Sequence, residues 1–199
     1  MKQVEFWFDF ASSYSYPAAL RIEEVARAEN VPILWRPFLL GPIFKAQGWH
    51  DSPFNIYPAK GNYMWRDLER LCESLSIAFR KPSIFPRNGV LAASIACLFS
   101  EEPWMQEFVR HMFLANFVED RDISDVSVLA SVLEQVGQPA SLTAFARSPE
   151  AKAKLRSATD HAGAIGIFGA PSFVVGSELF WGNDRLESAI AWAHAHAQD

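Results

Sequence analysis

Near the N-terminus a strand runs into a helix with almost no spacer. In FDFASSYSYPAAL, Phe8–Leu20, one apolar pattern stops and another starts within a few residues. Val4–Phe10 is aromatic, β-rich and bounded by small polar residues, which predicts a strand. Tyr14–Ala28 predicts a helix with Leu20, Ile22, Val25 and Ala26 on its inward face. Pro17 suits a helix only within its first turn, so the helix must begin near Tyr14 to Tyr16. Three serines, Ser12, Ser13 and Ser15, occupy the junction, and Ser12 or Ser13 is the expected N-cap.

A serine at a helix start has two compatible uses. It caps a free backbone N–H, and its O–H donates to an anion drawn there by the unpaired N–H groups and the helix dipole. A nucleophilic serine would need a base. None of His50, His111, His161, His194 and His196 stands in a triad context, and no G-x-S-x-G elbow is present. A phosphate cradle would need glycine, which FASSYSY lacks.

The rest of the chain predicts β-α-β, then many helices, then α-β-β-α. Val31–Phe38 reads as the second strand, and Gly41–Lys60 as a loop with short turns. Helices are expected over Gly61–Ser76, Val90–Phe99, Trp104–Phe117, Ser124–Gly137 and Pro149–Ala162, the last closed by Gly163. Lys81–Gly89 is a proline-punctuated connector. Ser172–Val175 and Glu178–Trp181 flank Gly176-Ser177 as a hairpin. Asp184–His194 closes the pattern as a helix, with Asp184 and Glu187 spaced as a capping box. This order describes an α/β domain split by an inserted all-helical domain. Residues 1–40 and 150–199 form the sheet domain and 41–149 the insertion.

Composition narrows the function classes. The 199 residues, half of them hydrophobic, suit one compact domain carrying an insertion. A net charge of −5 without a basic tract argues against a nucleic-acid partner. No apolar run is long enough to span a bilayer, and MKQVEFWFDF does not resemble a signal peptide, so the cytoplasm is expected. Cys72 and Cys97 form neither a metal pattern nor a C-x-x-C, and both read as small core residues. No metal is expected.

FGAPSFVV, with Pro171 directly before a β run, completes a recognisable set with the N-terminal junction and the helical interruption. Together they resemble the thioredoxin-like fold, in the disulfide-oxidoreductase branch that carries a helical insertion. That branch places C-x-x-C where Ser12-Ser13-Tyr14-Ser15 stands here, so thiol–disulfide chemistry is excluded at this position. FDFASSYSYPA is similar to the F-D-F-x-S-P-x-S-Y opening of the kappa-class glutathione transferases and the 2-hydroxychromene-2-carboxylate isomerases, with Ser13 in place of the usual proline. SPFNIYPAKGNYMWRD, Ser52–Asp67, resembles the isomerase group, and IFGAPSFVVGSELFWGNDRLE, Ile167–Glu187, resembles the shared C-terminal signature. The likeness runs through essentially the whole chain.

The resemblance implies glutathione as cofactor and Ser12 as the catalytic residue contacting its sulfur. Lys60 then lies near the glycyl carboxylate, and Ala170, before Pro171, pairs with the cysteinyl backbone. Asn183 and Asp184 hold the γ-glutamyl end, and Asn55 is a further binding candidate. The implied activity is glutathione-dependent cis–trans isomerisation of 2-hydroxychromene-2-carboxylate or a related aromatic acid. The alternative is a kappa-class transferase or peroxidase. A homodimer is also implied. Phe38, Phe44, Trp49, Phe54, Tyr57 and Trp65 are candidate walls of an apolar pocket, and Lys45 and Arg87 candidate carboxylate partners.

Overall fold

A computed structural model describes residues 2–196. Its centre is a four-stranded sheet of order β2-β1-β3-β4, built from β1 (Val4–Phe8), β2 (Ile33–Pro37), β3 (Ser172–Val175) and β4 (Glu178–Trp181). β1 and β2 are parallel and are joined by α1 (Ser15–Ala28). β3 runs antiparallel to β1, with Phe6 opposite Phe173, and β4 folds back on β3 through Gly176 at φ +63°. The two C-terminal strands have the expected bounds. β1 and β2 are shorter than expected: their paired register runs only from Val4 opposite Ile33 to Phe8 opposite Pro37, and Phe10 already lies in the turn.

The unbroken apolarity of β1 follows from burial on both faces. Val4, Phe6 and Phe8 enter the larger core, where Phe6 stacks at 5.1 Å on Phe8 and 5.5 Å on Phe173. Trp7 points the other way and packs with Phe38, Ile43, Ala162 and Ile167. The larger core continues into α1 through Ala19 and Ile22, and into the closing helix α9 (Leu186–Ala195) through Leu186 and Ile190.

Between β2 and β3 every regular element is helical. In order these are α2 (Leu40–Ala46), α3 (Pro53–Ile56), α4 (Pro58–Ser74), α5 (Val90–Leu98), α6 (Met105–Phe117), α7 (Val126–Gln135), a 3-10 stretch (Ala140–Arg147) and α8 (Pro149–Ala164). The expected loop over 41–60 is therefore corrected to two short helices and the start of a long one. Its prolines misled: Pro42 falls in the first turn of α2, and Pro53 and Pro58 open α3 and α4, positions where the missing N–H has no helical partner anyway. Capping follows elementary rules at α8, where the Ser148 hydroxyl accepts from Ala151 N–H at 3.1 Å. At α7 the cap is Asp125, accepting from Ser127 N–H at 2.8 Å, and not Ser124. α8 continues through Gly163 to Ala164, and the chain leaves it at Gly166, φ +85°. The outer limits of the sheet domain, residues 1 and 199, lie outside the described residues.

The insertion meets the sheet through rings. Phe113 of α6 is fully buried, 5.2 Å from Phe10 and 6.0 Å from Phe8. The connector before α5 is clasped by Asp120, which lies in the left-handed region at φ +57° that aspartate tolerates. Asp120 Oδ1 accepts from Ser83 N–H at 2.8 Å and from its hydroxyl at 3.0 Å, and pairs with Arg87. Arg87 is almost wholly buried in this clasp, which corrects its assignment as a carboxylate partner for a ligand.

Truncation of Phe113 to Ala is expected to cost about 3–5 kcal/mol, read as a lower urea midpoint with the slope retained. A loss below about 1 kcal/mol would contradict this packing. The Asp120 carboxyl is held down to about 2, from 3.8, chiefly by the Ser83 N–H and the Arg87 guanidinium. A lowered value means that the ionised form favours the folded state, so this contribution is present above 3.8 and lost as pH falls towards 2. Asp120→Asn should therefore be less stable than the parent at neutral pH, and the gap should close on acidification. A gap independent of pH in urea titrations would refute the clasp.

Candidate active site

The junction after β1 is a pair of tight turns. Ser12 N–H donates to the Asp9 carbonyl at 2.9 Å. The Ser12 hydroxyl accepts from Ser15 N–H at 3.3 Å and donates to the Ala170 carbonyl at 2.9 Å. α1 itself starts at Ser15 with Tyr14 as its formal cap, so Ser12, expected at the cap, tends the Ser15 N–H from two positions outside it. Ser13 is buried, its hydroxyl on Met64 Sδ at 3.0 Å.

Beneath the junction lies Asp9, which the sequence reading passed over. Its carboxylate accepts from Ala11 N–H at 2.8 Å and Leu40 N–H at 2.7 Å, tying the β1–α1 turn to the start of α2. Burial pushes the Asp9 carboxyl above its ordinary 3.8, and the two N–H donors oppose that rise. The run VEFWFDF holds two acids, Glu5 and Asp9, and nothing in the sequence marks which of them is buried.

The C-terminal signature meets Ser12 from the opposite side. Ala170–Pro171 is a cis peptide. Behind it, Pro171 O accepts from Gly182 N–H at 2.9 Å and Gly169 O accepts from the Ser172 hydroxyl at 2.9 Å. Gly169 has no room for a Cβ, which would strike the Trp181 indole. Trp181 in turn packs on Phe168 at 4.9 Å, and both rings are about half exposed.

Asn183 follows in a short 3-10 turn (Asn183–Arg185); it is buried, and its Oδ1 has no partner. A buried acceptor without a donor is costly, so a polar group is wanted there. Asp184 is exposed and accepts from Arg185 Nη2 at 2.9 Å. The expected capping box does not form. The 3-10 turn delays α9 to Leu186, leaving Arg185 at the cap, and Glu187 pairs with Arg21.

Ser12, Lys60, Ala170, Asn183 and Asp184 share one cleft of about 1550 Å³. Pro171 lies buried behind it. Asn55 stands apart: its amide donates to Asp51 at 3.1 Å and to the Phe85 carbonyl at 3.3 Å. Of the aromatic candidates, Phe44, Trp49 and Phe54 line the cleft, whereas Phe38 belongs to the core and Trp65 packs on Phe85 at 4.8 Å. Lys45 also faces the cleft. The long wall is α4, presenting Lys60, Tyr63, Asp67, Arg70 and Ser74 at helical spacing. Tyr14 reaches this wall and donates to Asp67 Oδ2 at 2.8 Å; burial first, then Asp67, pushes its phenol upward.

Both cysteines are free, buried and away from this cleft. Burial pushes Cys72 up to about 11 and Cys97 up to about 12, so neither is a thiolate near neutrality.

A model of the DSBA-like thioredoxin domain matches residues 3–189. The chain belongs to this family. Within it the chain falls with the 2-hydroxychromene-2-carboxylate isomerases and kappa-class glutathione transferases. It is 31% identical over 189 residues to a 2-hydroxychromene-2-carboxylate isomerase of Sphingobium xenophagum, covering 94% of this chain and 95% of that one. It is 28% identical over 204 residues to the human glutathione S-transferase kappa 1, covering 94% and 88%. A solved 2-hydroxychromene-2-carboxylate isomerase superposes with a TM-score of 0.84 at 27% identity, over 95% of this chain and 94% of that one. The thioredoxin-like fold with a helical insertion is thereby established, and in this member the Ser12–Ser15 segment occupies the head of α1 without a sulfur. Among the described residues no helix is long and apolar enough to cross a membrane.

Gly169→Ala should displace the Trp181 indole. We expect a lower thermal midpoint, by the equivalent of about 1–3 kcal/mol, and altered tryptophan fluorescence. An unchanged spectrum and midpoint would show that the indole does not press on this backbone.

Proposed function

We propose that the protein is a glutathione-dependent isomerase acting on 2-hydroxychromene-2-carboxylate or a related unsaturated aromatic acid, with Ser12 seating the tripeptide's sulfur. The observation that carries this reading is the Ser12 hydroxyl on the Ala170 carbonyl, in one cleft with the unpartnered Asn183 Oδ1. The likeness to named isomerases supports the reaction class.

The residues fit the tripeptide as follows. Asn183 Oδ1 and the Asp184 carboxylate accept from the γ-glutamyl ammonium. The Ala170 backbone faces the cysteinyl backbone, its carbonyl keeping a second lone pair. Lys60, in the first turn of α4, meets the glycyl carboxylate. When bound, glutathione supplies a soft nucleophile; every other task falls to the chain.

A serine hydroxyl is too weak an acid to ionise near neutrality and serves as a donor. A hydrogen bond to a charged group contributes about 1.5–3 kcal/mol, and turning away from Ala170 gives up about 1 kcal/mol. The net lowers a thiol pKa of about 8.5 by about one unit, since one unit is about 1.4 kcal/mol. The head of α1 acts in the same direction.

Held by Ser12, Ala170, Asn183, Asp184 and Lys60, glutathione would supply a thiolate able to add reversibly to the double bond of the substrate once its hemiketal C–O bond has opened. The bond so made single could turn before the same thiolate is expelled, so glutathione would not be consumed. Phe44, Trp49 and Phe54 offer apolar contact to the ring, and Lys45 faces the same space for its carboxylate. The same reading carries over a homodimer from the family resemblance.

Ser12→Ala should lower kcat about 10-fold or more while the fold survives, with the loss greatest on the acidic side of the thiol pKa. Equal rates for the variant and the parent from pH 6 to 8 would sink the assignment. Incubation with glutathione and substrate separates the two chemistries: isomer interconversion without glutathione loss supports isomerisation, and stoichiometric loss would assign transfer instead.

A further inference from the structure

We infer that Asn116 is a positioning residue for Ser12, acting on the Phe10 carbonyl from the inserted helices. This rests on the reading of Ser12 as the seat of a glutathione thiolate.

Asn116 lies on α6, buried to 2% exposure, and donates through Nδ2 to the Phe10 carbonyl at 3.0 Å. Phe10 stands two residues before Ser12. The amide orientation is dictated from both ends. Arg87 can only donate, and its Nη1 meets Asn116 Oδ1 and the Asn116 backbone carbonyl, both at 3.1 Å. The Phe10 carbonyl can only accept, so the Asn116 N–H must face it.

Arg87 is itself immobilised. Nη2 donates to Ser83 Oγ at 3.2 Å and the Asp120 carbonyl at 3.1 Å, and pairs with the Asp120 carboxylate. A guanidinium this buried is costly unless its partners are well placed. From the connector side, a Cβ on Gly89 would come within 2.8 Å of Phe10 Cβ, so the backbone there presses directly on the same residue. Ala11, the single residue between Phe10 and Ser12, is pinned by its N–H on Asp9 at 2.8 Å. The peptide leading to Ser12 is thus held at each step. A hydroxyl meant to reach one sulfur atom needs such placement, because small displacements of a reacting group are expensive in rate.

Asn116→Asp separates positioning from packing. One carboxylate oxygen keeps Arg87 paired, while the other replaces the donor facing Phe10 with an acceptor. Leu133→Ala, a core truncation in α7, serves as the control for lost stability. The parent and both variants are loaded with glutathione, and the ultraviolet absorbance of the bound thiolate is followed across pH beside calorimetric binding and steady-state kinetics. We expect Asn116→Asp to raise the bound-thiol pKa by about half a unit or more. We also expect it to lower kcat about tenfold while KM for glutathione stays within about twofold. Leu133→Ala should move neither the thiol pKa nor kcat. A thiol pKa unmoved in Asn116→Asp, or moved equally by both variants, overturns the inference while the glutathione reading stands. If the parent binds no glutathione, both readings fall together. Because Asn116→Asp also adds a negative charge, which by itself raises a nearby thiol pKa, Asn116→Ala, which removes the same donor without a charge, must shift the thiol pKa in the same direction or the inference fails.

Discussion

The hydrogen bond from the Ser12 hydroxyl to the Ala170 carbonyl spans 158 positions of sequence and joins the two ends of the fold. It exists because β1 and β3 are neighbours in the sheet, so the turn leaving one strand faces the turn approaching the other. The remaining features of the cleft follow from that adjacency. Asn183 arrives with the hairpin partner β4, and Lys60 with the helices that the chain interposes between the halves of the sheet. Disturbing the β1–β3 register would disperse these groups even with every side chain intact.

The sheet is covered on both faces, and this burial supplies its rigidity. A fully buried Phe or Leu side chain contributes about 1.5–3 kcal/mol, and β1 alone buries Phe6, Trp7 and Phe8. The inserted helices are therefore part of the same core, with Phe113 and Phe117 continuing the stack that begins at Phe6. Polar anchoring is concentrated at the junction, where Asp9, Asn116 and Arg87 hold backbone rather than one another's charge alone. A rigid floor of rings beneath a tightly hydrogen-bonded turn is an arrangement suited to holding one hydroxyl in place.

Much of this was legible in the amino-acid order, and the failures have physical causes. β3 and β4 match to the residue because a short β-branched run and a short aromatic one flank a glycine that needs positive φ. Ser148-Pro149 announced α8 because cap and N1 chemistry are local. The loop reading of 41–60 failed because proline breaks a helix interior but opens a first turn. The Asp184–Glu187 box failed because a 3-10 turn intervened, which spacing does not record. The place of Ser12 at a strand-to-helix junction was legible because that junction is local, whereas the contacts of Ser12, Asp9 and Asn116 were not: their partners lie 158, 31 and 106 positions away and meet only in the folded chain.

The α4 wall has a consequence for how members of this group diverge. From Lys60 to Ser74 it runs about 21 Å at 1.5 Å per residue, and it borders the cleft without belonging to the sheet. Replacements at every third or fourth position from Tyr63 onward can lengthen, narrow or recharge the chamber while the Ser12–Ala170 contact stays untouched. The contour of the chamber and the clasp between the two ends of the sheet thus reside on separate parts of the molecule, so one can be reshaped without unpicking the other.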